Sequence, residues 1–205
     1  ETVIIMANLA GKSGAALAPV ISSICKEQNK NVLSFAIMPF KFEKNRIFQS
    51  GISLKRLRMN SDSTIIIDND AILDSNPDFT AEKCYHVTNN AIKCLTTSIR
   101  SSSLTDDTNI MSTSRSTENI EDSVKDSIKM LYEDAPPNSI KRSMLYVYGA
   151  EKIPVGVINS ISNILGGIFD QENSQVDMST SGSTNVVLLS AIAGETRFDK
   201  YDPLG

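Results

Sequence analysis

The chain has 205 residues, enough for one large domain or two small ones around a real core. Apolar residues make up 40% and charged residues 21%, with a net charge of −4, so charge gives no nucleic-acid or anionic-membrane signal. Three cysteines in no CxxC pair and a single histidine, His86, exclude a metal set assembled by spacing and suit a reducing compartment. No apolar run approaches the ~20 residues of a membrane span, and no signal peptide is recognisable. Glu1 leads at once into an apolar run, as in a chain whose natural beginning is missing.

In chain order, TVIIMA (2–7) reads as a short strand buried on both faces. A small-residue loop follows, with Gly11, Lys12, Ser13 and Gly14. From Ala15 to Gln28, apolar residues recur at Val20, Ile21 and Ile24 with helical spacing, and Pro19 sits near the first turn. NVLSFAIM (31–38) is a second strand, ended by Pro39. A weaker helix spans 44–59, with Ile47, Leu54 and Leu57 on one face. STIIID (63–68) is a third strand, followed by a turn signal at Asn69-Asp70. Three strands alternating with two helices predict a parallel α/β sheet, whose ligands bind at the carboxyl ends of the strands. The glycine loop, Pro39-Phe40 and Asn69 all fall at that edge.

The segment 79–99 is a long helix with an apolar stripe at Val87, Ala91, Ile92 and Leu95, and the Ser-rich run after it is a linker. A clear amphipathic helix occupies 118–137, with Ile120, Val124, Ile128 and Leu131 on one stripe. Then come a strand at 143–149, a helix at 154–169 closed by Gly166-Gly167, and a long strand at 183–194. The expected fold is α/β in two parts: a truncated parallel nucleotide-binding sheet (1–78), a connecting helix and linker (79–103), and a smaller α+β second domain (104–205). No nucleophile–base–orienter set is present, and His86 has no partner in register, so no catalytic and no metal residue is assigned.

Strand, glycine loop and helix are the grammar of phosphate binding. A Walker P-loop is excluded: Gly11-Lys12-Ser13 would demand glycine at position 6, which is Met6. Instead ANLAGKSGAALAPVI (7–21) resembles, without a gap, the phosphate loop of the FtsZ/tubulin family. PFKFEKNR (39–46) is similar to that family's PF-x-FE stretch, with Glu43 and Arg46 at positions that face the nucleotide. DSTIIIDNDAIL (62–73) is similar to its next strand and turn, with Asn69 at the asparagine that contacts ribose or guanine. The later segments 109–128, 144–169 and 183–194 resemble the opening and the later elements of the family's second domain. The chain is thus identified as a divergent FtsZ/tubulin-family protein that lacks the family's first strands.

This resemblance implies a cytoplasmic cytoskeletal protein of cell-division type whose site for GTP or GDP is Gly11, Lys12, Ser13, Gly14, Glu43, Arg46 and Asn69, with binding weak or lost. It implies self-association, or a co-filament with an FtsZ-like protein. The family's pattern also breaks. Its loop glycines are replaced at Asn8, Ala10, Lys12 and Ala16, and Lys12 either meets phosphate or points to solvent. The position of its guanine-binding aspartate falls near Lys83 or Cys84. The loop that supplies its catalytic carboxylates is about a dozen residues too short, leaving Asp106 and Asp107 as the only candidates, better read as a solvated linker. Two other readings stay open at this point: an active GTPase with segments outside this chain, and a non-assembling regulator that kept the fold.

Overall fold

A computed structural model describes residues 1–99, 108–114, 119–149, 153–169, 174–179 and 185–202. Among the described residues, seven strands form one sheet, flanked by six α-helices. The strands are β1 (Thr2–Asn8), β2 (Asn31–Met38), β3 (Ser63–Asp68), β4 (Thr108–Thr113), β5 (Ile140–Tyr148), β6 (Ser174–Ser179) and β7 (Asn185–Ile192). The helices are α1 (Lys12–Glu27), α2 (Lys44–Met59), α3 (Asn69–Ser75), α4 (Ala81–Ser98), α5 (Ile120–Asp134) and α6 (Val155–Phe169). Sheet order is β1-β2-β3-β4-β7-β5-β6. Pairing is parallel from β1 to β4 and between β5 and β6, and antiparallel on both sides of β7.

The expected mixed α/β architecture is therefore present, with both strand groups joined edge to edge through β3 and β4. One sheet face packs against α1, α2, α5 and α6 through residues such as Ala18, Leu57, Val124 and Leu165. The other face packs against α4 through Ala91, Ile92 and Leu95. The predicted stripe of α5 is borne out: Ile120, Val124, Ile128 and Leu131 are all buried.

Several local expectations fail for identifiable reasons. β1 is not buried on both faces, because it is the edge strand of the described sheet. Ile5 and Ala7 face the core, while Ile4 and Met6 are 47% and 53% exposed. The apolar stripe of α1 also points away from the sheet. Small residues, Ala15, Ala18 and Ser22, with Pro19, contact the core, leaving Leu17, Val20, Ile21 and Ile24 exposed. The turn signal at Asn69-Asp70 is instead the first turn of α3, capped by Asp68, whose carboxylate accepts from Asp70 N–H at 3.0 Å and Ala71 N–H at 3.1 Å. Gly166-Gly167 does not close α6, which runs on to Phe169, whose buried ring packs edge-on against Tyr132 at 6.5 Å. β6 carries no hydrophobic signal, since SQVDMS is a half-exposed edge strand.

Candidate nucleotide edge

The three predicted loop regions do meet. The register pairs Asn8 with Ile37 and Met38 with Asp68, so the chain leaves β1, β2 and β3 side by side at one carboxyl edge. That edge is tied together across strands. Leu9 N–H donates to Ile37 O at 2.9 Å, and the Ser50 hydroxyl of α2 donates to Leu9 O at 2.8 Å.

The loop from β1 to α1 is only three residues, Leu9 to Gly11. Asn8 shapes it by accepting Ala10 N–H on its side-chain oxygen at 2.9 Å and Gly11 N–H on its carbonyl at 3.1 Å. Lys12, Ser13 and Gly14 therefore form the first turn of α1 rather than a loop. A helix leaves its first N–H groups without intrahelical acceptors. Here Gly11 supplies no side-chain cap and no acidic residue lies in the first turn. The first N–H to turn back is that of Ala15, to Gly11 O at 2.9 Å. The result is an uncapped helix N-terminus at the sheet edge, the arrangement that stabilises a bound anion. The Lys12 side chain is exposed and joins none of the ion pairs among the described residues. Gly14 permits the close approach: a Cβ there would lie 2.2 Å from Asn8 O.

Glu43 and Arg46 sit at the start of α2. The Glu43 carboxylate accepts Phe40 N–H at 3.0 Å, which folds the turn back on itself, and Arg46 is exposed. Between them and the core, Phe42 is 64% exposed and stacks on buried Phe40, with centroids 4.9 Å apart. Asn69 is also at the edge, but its amide is engaged inside the protein. It donates to Met38 O at 3.3 Å and accepts from the Thr88 hydroxyl of α4 at 2.9 Å. Cys84 is buried among Phe40, Ala71 and Ile72, while Lys83 lies over the Phe79 ring at 4.1 Å. Asp106 and Asp107 lie outside the described residues.

Sequence reasoning missed a charged cluster beneath this edge. Asp68, Asp70 and Asp134 surround Arg197 from a short 3-10 helix at Arg197–Tyr201. The Asp68 capping role was legible, since aspartate before a helix is a standard cap. The meeting with Asp134 and Arg197 joins positions far apart in the chain and has no local signal.

A family model described as "Tubulin/FtsZ family, GTPase domain" matches residues 1–77. Cell division protein FtsZ 2 of Halobacterium salinarum is 34% identical over 87 residues, which is 42% of this chain and 22% of that protein. Cell division protein FtsZ of Aquifex aeolicus is 37% identical over 73 residues, 35% of this chain and 20% of that one. Among solved structures, an empty FtsZ dimer of M. jannaschii superposes with a TM-score of 0.72 at 19% identity, over 94% of this chain and 63% of that one. A GTPγS-bound protofilament of CetZ2 from Haloferax volcanii does so at 0.64 and 16%, over 98% and 67%. The sequence matches thus span about a fifth of the length of these curated relatives.

Proposed function

We propose that this chain is a divergent member of the FtsZ/tubulin family, a cytoskeletal protein of cell-division type that holds GTP or GDP weakly at the carboxyl edge of β1 to β3. The observation that carries the proposal is the uncapped N-terminus of α1, set by a three-residue loop beside the starts of α2 and α3. Phosphate would be held by the Lys12, Ser13 and Gly14 N–H groups and the Lys12 ammonium, with Glu43 and Arg46 around the rest of the nucleotide and Asn69, engaged with Met38 and Thr88, shaping that edge from within. No residue is assigned to hydrolysis. The division into 1–78, 79–103 and 104–205 is proposed on the same footing, as is a cytoplasmic location. Among the described residues, no helix is long and apolar enough to cross a membrane.

Titration of the protein with fluorescent GTP at high protein concentration tests the site. Saturable binding is expected, and Lys12→Ala is expected to weaken it by about 1–3 kcal/mol, the strength of a charge-assisted bond. An unchanged affinity places Lys12 in solvent. No saturation up to millimolar nucleotide removes the nucleotide from the proposal.

Self-association, or co-assembly with an FtsZ-like protein, is the second part of the proposal. Its support is the uncovered face of α1, where Leu17, Val20, Ile21 and Ile24 follow i, i+3, i+4, i+7 and no charged residue interrupts Ser13 to Ile24. An apolar helix face of this kind is what partners cover, and on the opposite face of β1, the edge strand among the described residues, Ile4 and Met6 are exposed as well. In sedimentation, Leu17→Lys combined with Ile21→Lys is expected to reduce self-association while leaving stability within about 0.5 kcal/mol, because both sites are exposed. A parent protein that neither self-associates nor co-sediments with an FtsZ would end this part.

A further inference from the structure

We propose that Arg197 is a positioning residue that ties the second half of the chain to the candidate nucleotide edge, holding α3 and the Phe40-Lys41 turn in place. The inference rests on the nucleotide reading only for what the edge binds; the clamp itself is independent of it.

The guanidinium is presented by a rigid base. Thr196 and Asp199 cap the 3-10 helix reciprocally, Asp199 pairs with Arg58 of α2 at 2.7 Å, and Phe198 is buried beneath. From there Arg197 Nη2 donates to Asp68 and lies 3.7 Å from Asp70, while Nε lies 3.1 Å from Asp134. The three carboxylates come from three elements: the end of β3, the first turn of α3 and the end of α5. Two of them act directly on the edge. Asp68 accepts the first N–H groups of α3. Asp70 accepts the Lys41 N–H at 2.6 Å, one residue after Phe40.

The cluster is almost closed to water, with side-chain exposures of 18% for Arg197 and 1%, 3% and 2% for Asp68, Asp70 and Asp134. Three buried carboxylates against one guanidinium carry surplus negative charge, which a protein interior disfavours. Such a surplus favours protonation of a carboxylate. Burial, then the charge of Asp68 and a hydrogen bond with it, holds the Asp134 carboxyl well above its ordinary range despite Arg197, and Glu133 adds to the effect. Among the described residues, Lys41, Cys84 and Tyr201 also face the cluster. Apolar side chains would join these elements as firmly. What the planar guanidinium adds is direction: its Nη2 donates to Asp68 and sits 3.7 Å from Asp70, and the remaining lone pairs of these two carboxylates orient backbone N–H groups at the edge.

Native-state hydrogen exchange of the full chain, without nucleotide, tests the clamp. Arg197→Lys keeps the charge and loses the fork. The Lys41, Asp70 and Ala71 amides are expected to exchange about tenfold faster or more, while those of Phe35 and Ala36 in β2 change less than about twofold. Should that variant not fold, Asp68→Asn decides the matter. Asparagine still caps α3 but offers Arg197 no charge, and the Lys41 amide is expected to quicken selectively. Acceleration spread evenly over the sheet, or none at these amides, overturns the proposal. Because no ligand is present, loss of GTP binding with the selective acceleration intact would remove the nucleotide reading and leave the clamp. The reverse result would remove the clamp alone.

Discussion

Gly14→Ala is expected to be among the most damaging single-methyl substitutions in this protein. Gly14 lies in the first turn of α1, where a Cβ would stand 2.2 Å from Asn8 O, 3.0 Å from Asn8 C and 3.3 Å from Asn8 N. All three atoms are backbone, and Asn8 is held in register with Ile37 of β2. No side chain can swing aside, so either α1 or the end of β1 must move. Overpacking of this kind costs typically 1–3 kcal/mol, and a contact so short against fixed backbone belongs at or beyond the upper end, about 3 kcal/mol or more. The displaced helix also loses the alignment of its N–H groups with the loop, so affinity at the proposed nucleotide edge should fall together with stability. Gly156→Ala and Gly167→Ala are the controls. Both lie in α6 with nothing within 4 Å of an added Cβ. They are expected to be neutral or stabilising, by up to about 1 kcal/mol, since alanine favours helix more than glycine does. Chemical unfolding of the three variants checks this. A Gly14→Ala protein as stable as the parent would mean that the close packing of loop on helix is not present in solution.

The second large effect is on pH. Burial pushes the Asp70 carboxyl from 3.8 to about 6; the Asp68 charge adds to this, while the Lys41 N–H, Arg197 and Lys41 oppose it. Asp134 moves in the same direction. A raised carboxyl means that the folded state holds its proton more tightly than the unfolded chain. Stability is therefore greatest below the unfolded value and falls as pH rises through the folded one. For Asp70 the fall spans pH 3.8 to about 6 and amounts to about 3 kcal/mol at most. Asp199 works in the opposite sense and in a lower window. Burial would raise it, but hydrogen bonds from Thr196 and the Arg58 charge leave it lowered, so its contribution is lost only in acid. Unfolding free energy should thus decline between about pH 4 and 6, where most proteins gain stability. Asp70→Asn keeps an acceptor for the Lys41 N–H and should flatten much of the decline. A parent curve that rises across this window would show the cluster to be far better solvated than the structure has it.

Much of this molecule was legible before folding because its signals are local. Strand, glycine loop and helix follow one another within two dozen residues, and the period-3.6 stripe of α5 requires only its own side chains. The order of loop, PF-x-FE turn and Asn69 placed three site segments at one edge, because parallel strands all present their carboxyl ends on the same side. Tertiary structure decided what local pattern cannot encode. It turned the apolar stripe of α1 outward, because small residues and Pro19 fit closer to the sheet than Leu17 or Ile21 could. It left β1 half bare, because hydrophobicity reports what a residue favours and not whether a neighbour is there to cover it. It engaged the Asn69 amide with Met38 and Thr88, and it gathered the Asp68–Asp70 junction, Asp134 and Arg197 from three separate segments. Charge pairing over such separations depends on where the chain brings the groups, and that follows from packing rather than from spacing.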